Sequence, residues 1–376
     1  MSLSSLLIAN RGEIAIRITR AAAELGIETV AVHPADDARS LHVHKADRAV
    51  VLPGVGAAAY LDIDAVVAAA RDAGVDAVHP GYGFLSENAA FATACAEAGI
   101  QFIGPSAETL DGFGDKARAR ELAERCGVAV LAGTQGPTSL EGVRAFFDSL
   151  GDGGAVMIKA IAGGGGRGMR PVHVRADLDE AYERCQSEAS KAFGSGDVYV
   201  EELVGAARHV EVQVIGDGAE VSHVWERECT LQRRNQKLIE VAPSPTLPAA
   251  IRDRLTDAAV KMARKVGYTS LGTFEFLVDA EDEGRFAFIE ANARLQVEHT
   301  VTEEITGIDL VRAQLEIAGG ATLASLGLTQ DEIPAPRGYA VQCRVNTEKM
   351  NKKGNPLPSG GTLSAFDPPT GPGLRT

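Results

Sequence analysis

Short apolar runs alternate with segments of helical periodicity over the first hundred residues. Apolar runs of strand length, 6–9 and 29–32, flank a stretch in which Ile14, Ile18 and Leu25 recur on one helical face. The alternation continues through a helix over 63–73, a strand over 77–79, a helix over 89–98 and a strand over 100–103. Because strands that alternate with helices build parallel sheets, the pattern predicts a doubly wound α/β domain.

The periodicity changes twice further along the chain. Two strands, a glycine-rich loop and a helix over 178–193 follow a helix that leaves the first domain, and this predicts a small α+β unit. Strands dominate the remainder, with helices near 249–266 and 309–318. The predicted division is an N-terminal domain over 1–115, a helical connection over 116–130, the small unit over 131–203 and a mixed domain over 204–376.

Composition and charge exclude several classes of function. The formal net charge of −14 argues against a general nucleic-acid binder, because a polyphosphate backbone needs a basic surface. We expect no membrane span and no signal peptide, since apolar runs are short and the first ten residues lack a basic start. The five cysteines are scattered without a CxxC spacing, so we expect neither structural zinc nor disulfides, and a cytoplasmic protein. Cys229 is expected to be an ordinary buried thiol.

Polar residues occupy every second position from 290 to 298, within the stretch 288–300. They are Glu290, Asn292, Arg294, Gln296 and Glu298. In an extended strand a period of two places all five on one face. The stretch is therefore predicted to be a strand with one polar face. A solvent-facing strand has the same pattern, so the neighbouring strand has to decide between the two.

That neighbour is predicted to form a β-hairpin with the polar strand. Two strand-like segments flank the turn-like residues 280–284. A symmetric hairpin pairs Glu275 directly with Glu290, and like charges opposite each other are destabilising, so this register requires a cation. Two carboxylates and the Asn292 amide suit Mg²⁺ or Mn²⁺, usually shared with substrate phosphates. The sequence therefore predicts a site for a divalent metal and a nucleotide.

A glycine-rich loop follows the strand that carries Lys159. Gly163, Gly165 and Gly168 satisfy G-x-G-x-x-G, but a strand-like run follows instead of a helix, and no Gly-Lys-Ser/Thr ends the loop. This order predicts a flap whose backbone N–H groups cover phosphates, with Lys159 meeting phosphate oxygens. A plain flexible hairpin is the alternative, disfavoured by the entropic cost of four consecutive glycines. Lys116 gains a similar role only in the company of Lys159.

Two further segments carry polar residues on or after strands. His209, Glu211 and Gln213 alternate on one strand face, and a single histidine there indicates a nucleotide contact and not a metal ligand. Glycines in 79–88 follow a strand, at the end where ligands bind in open sheets. A structural turn explains these glycines almost as well.

The basic residues of the C-terminal half offer anion contacts. The charged run 226–237 either forms a solvated face or lines a cleft, and both alternatives stay open. In the second case the anion contacts are Arg233, Arg234 and Lys237. Arg294 and Arg344 suit a small planar oxyanion such as bicarbonate or a developing enolate, because guanidinium is always charged and forks to such groups.

Six motifs occur in the same order as in a known family. They are 9–15 (ANRGEIA), 79–88 (HPGYGFLSEN), the glycine flap, 208–213 (RHVEVQ), 232–237 (QRRNQK) and 290–299 (EANARLQVEH). With them the chain resembles biotin carboxylase, the ATP-grasp component of acyl-CoA carboxylases and of pyruvate carboxylase. The resemblance implies a pre-ATP-grasp domain, then a mobile lid over 131–203 and a C-terminal catalytic domain.

The resemblance also implies roles for individual residues. The implied ATP contacts are Lys116, Lys159, Gly163, Gly164, Gly165, Gly166, Met169, Glu201, Leu203, His209, Gln232 and Leu277. The implied metal ligands are Glu275, Glu290 and Asn292, in agreement with the hairpin. Bicarbonate is expected at Lys237, Arg294, Gln296 and Val297, and biotin at Tyr82, Gly83 and Arg344. The implied catalytic set is Glu298, Arg344, Arg294 and Lys237.

The implied reaction is the ATP-dependent carboxylation of biotin. Glu298 deprotonates bicarbonate, which attacks the γ-phosphate to give carboxyphosphate. The phosphate released with CO₂ takes the ureido proton of biotin, and Arg344 stabilises the enolate. The implied cofactors are ATP with Mg²⁺ or Mn²⁺, and biotin as a substrate on a separate carrier. The implied partners are a biotin carboxyl carrier and a carboxyltransferase, with a homodimer as one option for the assembly.

Two departures from the family pattern qualify these expectations. Asn235 stands where many relatives have histidine. The family's C-terminal domain continues further and 346–361 departs from its pattern, so we expect a truncated form with an incomplete last domain. The alternatives are another ATP-grasp carboxylate–amine or carbamoyl ligase, and a nucleotide-binding module inactive through truncation. The other ligases would share the metal-binding strands but not Arg344 or the 79–88 motif, and the presence of both Glu298 and Arg344 favours a catalytic protein over an inactive module.

Overall fold

The structure, a computed structural model, describes residues 3–161, 168–282, 284–352 and 354–376. The chain divides into a large unit that ends at Gln342 and a small unit, Cys343–Thr376. The predicted flap residues Gly163, Gly164, Gly165 and Gly166, and Glu283 of the predicted hairpin turn, lie outside the described residues. The domain boundaries at 115, 130 and 203 stay predictions.

Five parallel strands form the N-terminal sheet. The strands are β1 (Ser5–Ile8), β2 (Glu28–His33), β3 (Arg48–Val51), β4 (Ala77–His79) and β5 (Gln101–Phe102). Their order is β3-β2-β1-β4-β5, so the winding direction changes between β1 and β4. The helices are α1 (Gly12–Glu24), α2 (Leu41–Lys45), α3 (Ile63–Ala73), α4 (Ala89–Glu97) and α5 (Ala107–Gly114). All of β1 is buried, as in sheets covered on both faces, and the predicted doubly wound domain is confirmed.

A smaller antiparallel sheet follows α6 (Lys116–Arg125). Its elements are α7 (Leu140–Ser149), β6 (Val156–Ala160), β7 (Met169–Val172), α8 (Leu178–Phe193) and β8 (Val198–Glu202). The strand order is β7-β6-β8, and β6 and β7 confirm the two strands predicted on either side of the glycine-rich residues. Val156, Ile158 and Val200 belong to a buried apolar cluster on one face. By the alternation of a strand, Lys159 and Glu201 point to the opposite face.

A six-stranded sheet holds the second half of the large unit. Its strands are β9 (Ala207–Asp217), β10 (Val221–Arg233), β11 (Gln236–Ala242), β12 (Thr269–Asp279), β13 (Phe286–Asn292) and β14 (Ala340–Cys343), in the order β13-β12-β9-β10-β11-β14. The helices are α9 (Ala249–Lys265), α10 (His299–Thr306), α11 (Leu310–Ala318) and α12 (Leu323–Leu326). Phe274, Phe276 and Phe288 are fully buried with residues of α6 and α9. Such aromatic packing holds β12 and β13 rigidly in place.

The predicted β12–β13 hairpin has the predicted register. Glu275 lies directly opposite Glu290, and Thr273 lies opposite Asn292. A bulge after Glu275 then shifts the pairing by one residue. The expectation of two facing carboxylates is therefore confirmed.

In the small unit, β15 (Glu348–Met350) pairs antiparallel with β16 (Pro356–Pro358). Arg344 belongs to this unit. In neither unit is any described helix long and apolar enough to cross a membrane.

Candidate active site

A row of charged side chains crosses four neighbouring strands of the six-stranded sheet, and we call it the carboxylate row. Arg227 of β10 lies opposite Glu211 of β9, Glu211 opposite Glu275 of β12, and Glu275 opposite Glu290 of β13. The first three are buried and Glu290 is half-buried. Three adjacent carboxylates in a dry interior repel one another, so the row needs positive charge beyond Arg227.

Lys237 of β11 supplies part of that charge. Its Nζ donates to Glu211 Oε2 at 2.5 Å, to Glu275 Oε1 at 2.8 Å and to Glu298 Oε1 at 2.8 Å. Burial alone would lower the pKa of Lys237, but the carboxylates raise it well above its ordinary value. Lys237 therefore stays cationic and joins the predicted metal carboxylate Glu275 to the predicted base Glu298.

Glu275 and Glu290 differ in how their charges are compensated. Burial would raise the pKa of Glu275, but Lys237 and His209 hold it well below its usual range. Burial and the charge of Glu275 raise the pKa of Glu290, against a smaller opposite effect of Lys116. A divalent cation between the two carboxylates would offset this repulsion, and oxygen ligands are those that Mg²⁺ and Mn²⁺ prefer. The residues present therefore fit the predicted metal.

The chain after β13 does not form the predicted strand. β13 ends at Asn292, Arg294 N donates to the Asn292 carbonyl at 2.9 Å, and α10 begins at His299. The prediction of one continuous strand over 288–300 is therefore wrong, because a tight turn breaks the extended backbone after Asn292. Glu298 instead occupies the N-cap position of α10.

The alternating side chains nevertheless meet around one carboxylate. Asn292 Nδ2 and Gln296 Nε2 donate to Glu275 Oε1 at 2.6 and 3.0 Å. Arg294 donates to Asn292 Oδ1 at 2.8 Å and to Glu87 Oε2 at 2.6 Å. The turn thus brings the predicted bicarbonate residues Arg294 and Gln296 to the predicted metal ligands.

His209 contacts the same carboxylate from β9. Its Nε2 lies 2.5 Å from Glu275 Oε2, and Gln232 Nε2 lies 2.7 Å from its Nδ1. Burial has the largest single effect on the pKa of His209 and lowers it, but the charge of Glu275, the hydrogen bond to Glu275 and the charge of Glu211 together raise it, so that the net shift is upward. Ligand atoms of His209, Glu211 and Glu275 lie within 4.8 Å of one another, so this group too could hold a metal ion.

The remaining predicted phosphate contacts cluster at α6 and the three-stranded sheet. Lys159 forms an ion pair with Glu201, and Arg120 NH1 donates to Glu201 Oε1 at 2.5 Å. Burial lowers the pKa of Lys116, which interacts with Glu290 as well as with Lys159 and Glu201. Lys116 therefore connects this cluster electrostatically to the carboxylate row.

The loop after β4 is shaped by three side-chain hydrogen bonds. Asn10 Nδ2 donates to the carbonyls of Pro80 and Tyr82 at 2.7 and 2.8 Å, and Gly81 N donates to His79 Nδ1 at 3.0 Å. Gly81 has φ +65°, and a Cβ there would lie 2.9 Å from Asn10 Nδ2. The predicted biotin contact Tyr82 is therefore held in a defined loop that requires glycine.

His79 makes the stability of the protein depend on pH. It is fully buried, its Nε2 lies 3.1 Å from Gln314 Oε1, and burial lowers its pKa to about 3. In the unfolded chain this histidine binds a proton near pH 6.5, whereas in the folded chain it stays neutral down to about pH 3. The stability that the neutral ring contributes is therefore fully present above about pH 6.5, and it falls by about 1.4 kcal/mol per pH unit as the pH drops toward 3.

A His79→Gln variant should therefore lose less unfolding free energy than the wild type between pH 7 and pH 5. Denaturant titration at both values measures this, and His44→Gln, at an exposed histidine, is the control that should follow the wild type. Equal losses in His79→Gln and the wild type would contradict a buried neutral ring.

Other predicted contacts lie beside these clusters. Met169 is half-buried and pairs with Lys159, and Leu277 is half-buried and pairs with His209. Leu203 N donates to the Ala155 carbonyl at 2.8 Å at the end of β8. The nucleotide contacts of Met169, Leu277 and Leu203 therefore stay predictions.

Three predicted substrate contacts are known only by their exposure, their backbone conformation or the unit to which the residue belongs. Val297 is half-buried in the turn before Glu298, and Gly83 is exposed with φ +65°. Arg344 lies in the small unit. Their roles toward bicarbonate and biotin stay predictions.

The charged run 226–237 is predicted either to form a solvated face or to line a cleft, and each alternative holds for part of the run. Arg227 and Lys237 are directed into the carboxylate row, whereas Arg234 is exposed at the turn and Arg233 is half-buried. Of the three proposed anion contacts, Lys237 reaches the row. Cys229 is buried as expected, and burial raises its pKa well above its ordinary value.

Four residues that contact the candidate site have no role predicted from the sequence. They are Glu87, Arg120, Glu211 and Arg227. Glu211 had a signal, since it shares a strand face with His209. The others depend on contacts between distant elements, for which one sequence carries no pattern.

Three features together define an ATP-grasp enzyme. They are a doubly wound domain, a small sheet with Lys159 and Glu201 on one face, and a large sheet with facing carboxylates. The family model "Carbamoyl-phosphate synthase L chain, ATP binding domain" matches residues 115–326, and "Biotin carboxylase, N-terminal domain" matches 2–110. Pyruvate carboxylase of Aspergillus niger is 49% identical over 100% of this chain and 31% of its own length.

Two solved structures are similar over nearly the whole chain. The biotin carboxylase domain dimer of Hydrogenobacter thermophilus 2-oxoglutarate carboxylase, in complex with MgADP, ADP and bicarbonate, has 43% identity and a TM-score of 0.92. The match covers 99% of this chain and 80% of that one. The biotin carboxylase–β,γ-ATP complex from Campylobacter jejuni has 43% identity and a TM-score of 0.91, over 98% and 81% of the two chains.

These matches extend over both family models and both halves of the fold. The chain belongs to the biotin carboxylase family, whose members are ATP-dependent ligases. It spans about a third of the length of the curated pyruvate carboxylases that it matches, 31% for the Aspergillus niger protein.

Proposed function

We propose that this chain carboxylates biotin on a separate carrier, with ATP and bicarbonate as co-substrates, as the first half-reaction of an acyl-CoA or pyruvate carboxylase. One observation carries the proposal. Lys237 Nζ lies 2.8 Å from both Glu298 Oε1 and Glu275 Oε1. A single cation thus connects a carboxylate suited to act as base with a carboxylate suited to hold metal. The biotin carboxylase domain dimer from Hydrogenobacter thermophilus contains MgADP and bicarbonate in one structure, which supports a site that binds both a metal nucleotide and bicarbonate.

The proposed roles follow from charge and geometry. Lys237, Arg294 and the Gln296 amide bind bicarbonate, and Glu298 takes its proton. The oxyanion then attacks the γ-phosphorus, the bond from this phosphorus to the bridging oxygen of ADP breaks, and ADP leaves with carboxyphosphate as the other product. Lys116 and Lys159 stabilise the charge on the phosphoryl oxygens. Glu275, Glu290 and Asn292 would hold Mg²⁺, which neutralises further phosphate charge when bound.

The second part of the proposed reaction transfers carbon to biotin. Carboxyphosphate breaks down to CO₂ and phosphate, and the phosphate takes the ureido proton. The ureido nitrogen then attacks CO₂ in a C–N bond-forming step. Tyr82 and Gly83 are the proposed biotin contacts, with Arg344 stabilising the enolate.

ATP hydrolysis by the chain as it stands tests the proposal. We expect hydrolysis that requires bicarbonate and that free biotin stimulates. ATP binding combined with hydrolysis that ignores both bicarbonate and biotin would overturn the proposal in favour of another nucleotide-dependent function.

A Glu290→Gln variant tests the metal ligands. It keeps the shape of the side chain but removes one anionic ligand, so we expect the Mg²⁺ concentration for half-maximal ATP hydrolysis to rise about tenfold or more. Glu281→Gln, at an exposed position of the same hairpin, is the matched control and should leave it unchanged. An unchanged Mg²⁺ requirement in Glu290→Gln would remove Glu290 from the metal site.

The proposed partners are a biotin carboxyl carrier and a carboxyltransferase, on the same or another chain. A homodimer is the proposed assembly, by similarity to the Hydrogenobacter domain dimer. The proposed compartment is the cytoplasm, which suits five free cysteines. The human and mouse pyruvate carboxylases are mitochondrial proteins.

A further inference from the structure

The fully buried Arg227 uses every one of its N–H donors. It has 0% exposure, and a guanidinium has five N–H groups and no acceptor. The five acceptors are Glu211 Oε1 at 2.5 Å, Gln213 Oε1 at 2.8 Å, Thr302 Oγ1 at 3.0 Å, Thr273 Oγ1 at 3.1 Å and Gln296 Oε1 at 3.1 Å. The side chain is therefore fixed, and it fixes the groups that accept from it.

The first consequence concerns the orientation of Gln296. Because Arg227 can only donate, the Gln296 amide must turn its oxygen to Arg227 and its nitrogen to the other side. On that side Nε2 donates to Glu275 Oε1 at 3.0 Å, and the same oxygen accepts from the Lys237 ammonium at 2.8 Å, so it acts as an acceptor. An obligate donor and an obligate acceptor thus determine the amide orientation. One N–H of Gln296 goes to Glu275, which leaves the second N–H to donate to a bound anion.

The second consequence concerns the ammonium of Lys237. Arg227 Nε holds one oxygen of Glu211, and the other oxygen accepts from Lys237 Nζ at 2.5 Å. Because Glu211 is itself fully buried, its two oxygens cannot exchange partners with water. Arg227 therefore sets the position of Lys237 through one intervening carboxylate.

We propose that Arg227 is a positioning residue for bicarbonate. It orients the Gln296 amide and positions the Lys237 ammonium, two donors that the proposed function assigns to bicarbonate. Arg227 itself contacts no substrate. The inference rests on that proposed function. A merely structural arginine would stabilise the sheet without affecting one substrate more than another.

An Arg227→Lys variant tests the proposal through the two Michaelis constants. Lysine keeps the charge next to Glu211, but its three donors cannot also reach Gln296 in the same geometry. We expect the KM for bicarbonate to rise about 10–100-fold, the range that corresponds to the loss of hydrogen bonds to charged groups. The KM for ATP should stay within about twofold of the wild type.

Thr302→Val is the matched control, because it removes one buried partner of Arg227 and leaves Glu211 and Gln296 in place. Both KM values should be unchanged in it. A bicarbonate KM in Arg227→Lys equal to the wild type, or an equal rise for both substrates, would overturn the positioning role. Wild-type protein without bicarbonate-dependent hydrolysis would instead defeat the proposed function.

Two further variants keep the proposal testable if Arg227→Lys fails to fold or loses most activity. Gln296→Glu still accepts from Arg227 but cannot donate to an anion, so its bicarbonate KM should rise at least tenfold. An unchanged KM would overturn the proposal, because no donor would then need positioning. In the Arg227→Lys, Gln296→Ala double variant the KM rise should be smaller than the product of the single rises, and a full product would contradict action through Gln296.

Discussion

A Glu298→Gln variant is expected to lose biotin-stimulated ATP hydrolysis by about 10²–10⁴-fold, the range for removing a general base. Glu298 is 2% exposed, and its Oε1 accepts from Lys237 at 2.8 Å. Glutamine keeps the volume and the hydrogen bond to Lys237 but cannot take a proton from bicarbonate. Steady-state hydrolysis and nucleotide binding, measured on the same preparation, separate chemistry from binding, and the ATP affinity should change little.

Glu304→Gln is the matched control for that variant. Glu304 is exposed on α10, about 1.7 turns from the N-cap that Glu298 occupies, and its substitution should leave hydrolysis unchanged. If Glu298→Gln kept more than about a tenth of the wild-type rate, Glu298 would not be the base.

A Lys237→Met variant is expected to lower the unfolding free energy by about 3–5 kcal/mol, because removing one partner leaves buried charge uncompensated. Three carboxylates accept from Lys237 in the wild type, and its side chain is 14% exposed. Methionine fills the same space without charge, so the loss reports electrostatics and not packing. Denaturant unfolding at neutral pH measures the difference.

Lys261→Met provides the control for Lys237→Met. Lys261 is exposed on α9, and surface substitutions of this kind change stability within about 0.5 kcal/mol. A Lys237→Met protein as stable as the Lys261→Met protein would mean that Lys237 does not compensate the carboxylate row.

The sequence predicts best where periodicity and register are local. The helices over 63–73 and 178–193 have the predicted bounds, since their apolar faces repeat within one segment. The facing pair Glu275 and Glu290 follows from the symmetry of a short turn. These features need no knowledge of distant parts of the chain.

The rest depends on contacts that one sequence does not encode as a pattern. The edge strand β3 (Arg48–Val51) is largely exposed and becomes a strand only by pairing with β2. The polar alternation after Asn292 has the period of a strand, but a turn carries it. In the sequence Arg227 belongs to a charged run that a solvated face would also explain. The pairing of β10 with β9 is what places it opposite Glu211. Register between distant strands decides each of these cases.

The central claim is that bicarbonate, activated at Glu298, attacks the γ-phosphate of ATP at this site. Hydrolysis of ATP in the presence of ¹⁸O-labelled bicarbonate and free biotin tests it most directly. In carboxyphosphate the oxygen that bridges carbon and phosphorus comes from bicarbonate, and it stays with phosphorus when CO₂ leaves. We predict phosphate with one labelled oxygen in the wild type, in proportion to the biotin-stimulated rate. Unlabelled phosphate, formed while biotin still stimulates hydrolysis, would contradict the account.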